Sequence, residues 1–194
     1  MYSKKEQTRE RILESSYRLF SKEGFTKVTM KDICEVTNLS RGGLYSHFSS
    51  TKEIFEAILE KIHRKDAMNF EKEISEQVPA PCILERALAL MEEEMLHPED
   101  SLSLAMYEYA DTFHNGIMEH FHKTDEQKWT ALIEYGIQRG EFRAAPVKET
   151  VDVILYAYQG VRMWSRIIAM TPDTFQSITA HIRKQLRKKE SKCQ

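Results

Sequence analysis

Two helix-start signals stand only eleven positions apart between Thr29 and Phe48, and this spacing constrains the fold more than any other feature of the chain. Thr29 precedes Met30, Ile33 and Cys34, with Asp32 three positions on, the T-x-x-D form of a capping box that starts a helix. Asn38-Leu39-Ser40 interrupts that helix, and Ser40 offers a cap for another that brings Leu44, Tyr45 and Phe48 onto its faces. Two short helices are thus joined by a tight turn. Ahead of them, Ile12, Leu13, Tyr17, Leu19 and Phe20 recur at helical spacing up to Gly24, which predicts a longer helix over about 7–22.

The rest of the chain reads as helix too. Ser50 and Glu53 form a second capping box, and Ile54, Phe55, Ile58, Leu59 and Ile62 carry a fourth helix towards Gln77, where Val78-Pro79-Ala80-Pro81 ends it. Helices follow over about 83–96, 102–113, 125–139 and 148–170, and a last one opens at Thr171-Pro172-Asp173 with Phe175, Ile178, Ile182 and Leu186 on one stripe. Nothing in this half alternates like a strand. The chain is lean in turn formers, with seven Gly and five Pro in 194 residues, which favours the same reading. The expected fold is all-α with about nine helices: a three-helix head over 6–66, with its motif at 29–48, and a helical body over 67–194.

A short helix, a turn and a second short helix behind a longer supporting helix is the helix-turn-helix pattern. Its second helix must enter a groove about 12 Å wide, so it is short, apolar on its inner face and polar towards the bases. Leu44 and Phe48 supply the inner face, while Arg41, Gly43, Ser46 and His47 point outward, where Arg suits bidentate contact with guanine. Gly42 and Gly43 each cost about 0.8–1.0 kcal/mol relative to Ala inside a helix, which close approach of DNA would compensate. Charge points the same way. Residues 1–52 hold ten Lys and Arg against six Asp and Glu, whereas the remainder holds 18 against 24.

Phe25-Thr26-Lys27-Val28-Thr29-Met30-Lys31-Asp32-Ile33, then Leu39-Ser40-Arg41-Gly42-Gly43-Leu44-Tyr45-Ser46-His47-Phe48, then Ser50-Thr51-Lys52-Glu53-Ile54-Phe55 resembles the amino-terminal domain of TetR-family regulators. The resemblance implies DNA contacts from Thr29, Lys31, Ser40, Arg41, Gly42, Gly43, Tyr45 and His47. Two departures stand out: Asn38 where the family has Gly, and Thr51 where it has Lys. Asn tolerates the left-handed backbone that the turn needs. At the start of the fourth helix, Lys52 is one residue out of step, about 100° around the helix, so Thr51 or free backbone N–H groups are alternative phosphate contacts.

The resemblance further implies a variable body that binds a small effector and dimerises through its last two long helices. Met91, Met95, Tyr107, Phe113, Trp129 and Tyr156 are the candidate pocket residues, and Tyr158, Val161, Trp164, Phe175, Ile178 and Ile182 the candidate dimer interface. The expected protein is a cytoplasmic repressor that binds a palindromic operator as a homodimer and is released by a small molecule. A constitutive DNA-binding dimer is the alternative. No apolar run approaches membrane-spanning length, and no cofactor is implied. Cys34, Cys82 and Cys193 are far apart and in no C-x-x-C pair, so each is expected as a reduced thiol. An enzyme is disfavoured: no G-x-S-x-G, phosphate loop or G-x-G-x-x-G occurs, and His120 and His122, with His114 and Glu119 nearby, diverge by about 200° on a helix, unlike zinc-binding i, i+4 pairs.

Overall fold

The computed structural model describes residues 3–64 and 70–188. Among them run ten α-helices: α1 (Lys4–Glu23), α2 (Met30–Thr37), α3 (Arg41–Tyr45), α4 (Thr51–Arg64), α5 (Glu71–Ser75), α6 (Ala80–Leu96), α7 (Ser103–Phe113), α8 (Ile117–Gln138), α9 (Val147–Trp164) and α10 (Pro172–Leu186). Among the described residues, the strand-like pairing is a single bridge between Phe142 and Arg187. The helices sort into two units, α1–α4 with α7 in one, and α5, α6 and α8–α10 in the other.

The fourth helix does not run on to Gln77. It reaches Arg64, residues 65–69 lie outside the described residues, and Phe70 precedes the separate five-residue α5. Phe70 is buried and meets the Trp129 ring edge-on at 5.3 Å, so its own unit's core claims the side chain that a continued amphipathic helix would have to place. The other boundaries differ at Gly and Pro. Gly116, with φ of 73°, lets α8 begin at Ile117 rather than near Asp125, and Pro79 and Pro81 open α6 instead of closing a helix.

In the first unit, α1 buries Ile12, Leu13 and Phe20, α2 buries Ile33, α3 buries Leu44, and α4 buries Ile54, Phe55, Ile58 and Leu59. Each such side chain contributes roughly 1.5–3 kcal/mol on burial. Phe20, Phe25 and Phe55 continue into α7 through Tyr109 and Phe113: Phe20 meets Phe55 edge-on at 5.0 Å, and Phe25 meets Tyr109 at 5.3 Å. Polar ties fix the same packing. The Tyr17 hydroxyl donates to the Asp100 carbonyl at 2.7 Å, and the Tyr109 hydroxyl donates to the Glu56 carboxylate. Burial, with that carboxylate alongside, pushes the Tyr109 phenol up to about 12.

The second unit has its own core, in which Ile83, Leu84, Leu88, Met91 and Met95 of α6 face Trp129, Leu132 and Ile133 of α8, with α9 and α10 closing it. Arg183 of α10 ties to α6 twice, its Nε donating to Glu85 at 2.9 Å and its terminal nitrogens to Glu92 at 3.3 Å. Arg187 adds a bond to Glu85 at 2.9 Å. Cys34 is a free thiol as expected, whereas Cys82 is disulfide-bonded, which corrects the expectation of a reduced thiol there. Separation in sequence carries no information about which sulfurs meet.

Candidate nucleic-acid interface

Local hydrogen bonding explains why the paired helices form where they do. The Thr29 hydroxyl accepts the Asp32 N–H at 3.3 Å, and the Asp32 carboxylate accepts the Thr29 N–H at 2.9 Å and its hydroxyl at 2.6 Å, closing the capping box. These bonds, the hydroxyl's first, hold the Asp32 carboxyl below its ordinary value. At the other end of α2, Asn38 takes the left-handed conformation, φ 52° and ψ 42°, and its N–H reaches the Cys34 and Glu35 carbonyls. Asn thus serves where the family has Gly. Ser40 then caps α3, its hydroxyl accepting the Gly43 N–H at 3.1 Å.

What α3 presents follows from which side it buries. Leu44 and Phe48 are within the core, and Arg41, Gly42, Tyr45 and Ser46 are exposed, with Gly43 and His47 half-buried. The Arg41 guanidinium lies 5.5 Å from the Tyr45 ring centroid and has no ion-pair partner among the described residues. The two glycines separate. A Cβ on Gly43 would stand 3.2 Å from the Ser40 hydroxyl that caps the helix. A Cβ on Gly42 would meet nothing within 4 Å, so nothing among the described residues requires a glycine there.

The flanking candidates differ in availability. Thr29 and Lys31 are exposed beside α3, and Lys31 has only a solvated pairing with Glu35 at 3.8 Å. At the start of α4, Ser50 caps the Glu53 N–H at 3.2 Å, but the Glu53 carboxylate turns back to the Ser49 N–H and hydroxyl rather than to Ser50. Those bonds hold its carboxyl below the usual range. The Lys52 ammonium sits 4.6 Å over the Phe113 ring and 3.9 Å from Glu56, so it is engaged with α7 and α4, and Thr51 is left at the helix's first position. Sequence reading missed Arg9. Its guanidinium stacks 4.1 Å over Phe48 and donates to the His47 carbonyl at 3.4 Å, bracing the end of the α3 turn from α1, although along the sequence it is one more cation on a solvated helix face.

Residues 12–58 match the family model described as bacterial regulatory proteins, tetR family. The chain is 28% identical over 152 residues to the HTH-type transcriptional regulator YfiR of Bacillus subtilis, covering 76% of this chain and 74% of that protein. It is 25% identical over 174 residues to the HTH-type transcriptional regulator TtgR of Pseudomonas putida, covering 82% and 80%. A TetR transcriptional regulator from Chloroflexus aurantiacus superposes with a TM-score of 0.78 at 22% identity, over 95% of this chain and 98% of that one. Residues 12–58 thus belong to the tetR family of bacterial regulatory proteins. The matched segment contains the capped α2–turn–α3, which has the form of a DNA-binding helix-turn-helix.

The expected effector and dimer residues fare differently. Met91, Met95 and Trp129 share the second unit's core, but Phe113 belongs to the first unit's aromatic cluster, 4.9 Å from Tyr109. Tyr107, on α7, is 62% exposed, and Tyr156, on α9, is 66% exposed with its ring 5.7 Å from that of His122. The six therefore do not converge on one cavity. Of the expected dimer residues, Tyr158, Val161, Phe175 and Ile182 are buried in the protomer's own core and offer little surface, Ile178 is half-buried against it, and Trp164 is 54% exposed. The helix α9 is apolar on two sides, and periodicity does not say which one turns inward. Val153, Tyr156, Trp164, Ile167 and Ile168 form the outward apolar set on α9 and the turn after it.

Proposed function

We propose that this protein is a repressor that binds a palindromic operator as a homodimer and releases it when a small, largely apolar molecule binds in the second unit. The observation that carries the DNA half is Gly42: an exposed glycine on the recognition helix that no contact among the described residues explains, beside an Arg41 with no ion-pair partner among them. Close approach of a DNA backbone supplies the missing reason for it. Within this reading Arg41 reads a base edge, and Thr29, Lys31, Ser40, Tyr45, His47 and Thr51 hold phosphates.

Dimerisation is proposed through the outward set Val153, Tyr156, Trp164, Ile167 and Ile168. Five large apolar side chains exposed within sixteen residues favour a partner, and a two-fold partner places two recognition helices about one DNA turn, 34–36 Å, apart. Effector binding is proposed beside Met91, Met95 and Trp129, where flexible thioethers can repack around a guest. For coupling, α7 replaces a continuous fourth helix: it packs in the head's unit, yet is joined in sequence to α6 and α8 of the other. Footprinting on the DNA upstream of the chain's own gene, with sedimentation of the free protein, tests this reading. A symmetric protected site and a dimer are expected; an unprotected upstream region, or a monomer at micromolar concentration with DNA bound, would refute the repressor or the dimer respectively.

A further inference from the structure

The loop between α1 and α2 leads directly into Thr29, and its polar anchor comes from far away in the sequence. The Thr26 backbone N–H and hydroxyl both donate to Oε2 of Glu108, at 2.9 and 3.0 Å, across 82 positions. The carboxylate also lies over Gly24, whose φ is +86°; a Cβ there would stand 2.6 Å from Oε2 and 2.9 Å from Oε1. Gly24 therefore both turns the chain and leaves the carboxylate its seat. On either side Phe25 and Val28 are buried, and the loop's own Val28 N–H to Phe25 carbonyl bond is long, at 3.4 Å. The loop is thus pinned by two apolar side chains and one carboxylate, and Thr29 with its capping box follows immediately.

We propose that Glu108 is a positioning residue for DNA binding: its carboxylate fixes the 24–28 loop so that the Thr29 end of α2 meets the DNA backbone in register. This rests on the DNA-binding role of α2 and α3. Coulomb's law alone works against a carboxylate in the same unit as a polyanion site, so its electrostatic and positional effects have opposite signs. Removing the charge tightens binding if only electrostatics matters, and weakens it if the loop is set by this carboxylate.

The test compares Glu108→Ala, Glu108→Gln and Asp111→Ala in the full chain, by fluorescence anisotropy on upstream DNA, with hydrogen exchange of the Thr26 amide as the local readout. Glu108→Ala is expected to weaken binding about tenfold and to speed Thr26 exchange, since two charge-assisted bonds are lost. Glu108→Gln keeps an oxygen that can accept both bonds and stays within about threefold. Asp111→Ala removes an equal, exposed charge from the same helix and does not weaken binding. Glu108→Ala binding as tightly as the unaltered chain, or tighter, overturns the proposal. If that variant does not fold, Thr26→Val decides, because it removes only an exposed hydroxyl: about a threefold loss supports the anchor and unchanged affinity overturns it. Failure of the unaltered chain to bind upstream DNA would refute the DNA reading itself, a result distinct from any difference among variants.

Discussion

Replacing Gly42 by Ala should make the free protein more stable and its DNA complex weaker. A Cβ at this position has open space around it, the residue lies in α3, and its φ is not in the left-handed region, so the change removes chain entropy from the unfolded state without adding a clash. The helix-propensity difference between Gly and Ala sets a ceiling of about 1 kcal/mol, reduced because α3 is a five-residue helix with position 42 in its first turn. For a domain of this size, that corresponds to a rise of up to about 2–4 °C in Tm. In the complex the same methyl must fit against DNA, and losing one close backbone contact or forcing a small shift costs about 1–3 kcal/mol, roughly five- to 150-fold in Kd. Urea unfolding and anisotropy on one preparation measure both quantities. Gly43→Ala is the internal control, because its Cβ would lie 3.2 Å from the Ser40 hydroxyl within the protein, on a half-buried position rather than an exposed one. A Gly42→Ala protein that gains stability and binds DNA unchanged would refute the claim that this glycine faces DNA.

Other outcomes follow from the same geometry. The Tyr109 phenol, raised to about 12, keeps its proton in the folded state after an unfolded tyrosine would lose it near 10; its contribution is complete below 10 and is lost as pH rises through 12, which an ultraviolet titration of the unaltered chain against Tyr109→Phe will show as one late-ionising tyrosine. Asp32 is shifted the other way, so the capping box contributes above the ordinary carboxyl value of 3.8 and is lost as pH falls through the lower folded value; an acid titration in which Asp32 ionises at or above 3.8 contradicts the cap. Arg183→Ala leaves the half-buried Glu85 and Glu92 short of a donor and should cost about 1–3 kcal/mol in urea unfolding, whereas a neutral result would show that α10 is held by its apolar stripe alone.

How legible each feature was in the sequence depended on the range of the interactions behind it. The caps at Thr29 and Ser40 and the left-handed Asn38 are made of bonds spanning three to five residues, so residue type and spacing were enough to place the helix-turn-helix. Leu44 and Phe48 were legible as its inner face for the same reason. The burial of Phe70 was not, because it rests on the Trp129 ring some sixty residues on. Nor was the first unit's use of α7, which rests on Thr26–Glu108 and Tyr109–Glu56 contacts with no local signature. For the dimer candidates the difficulty is subtler. Tyr158 and Tyr156 both look like stripe residues on α9, and only packing shows that the first is inside and the second outside.

The central claim is that α3 reads sequence through Arg41. Anisotropy titrations of the unaltered chain and Arg41→Ala, each against the protected upstream site and a scrambled duplex at fixed salt, test it most directly. The account predicts a loss of about 1–3 kcal/mol on the specific site and a much smaller one on the scrambled duplex, so the specificity ratio collapses. Equal losses on both duplexes would show that Arg41 touches only phosphate, and no loss on either would remove α3 from the DNA interface.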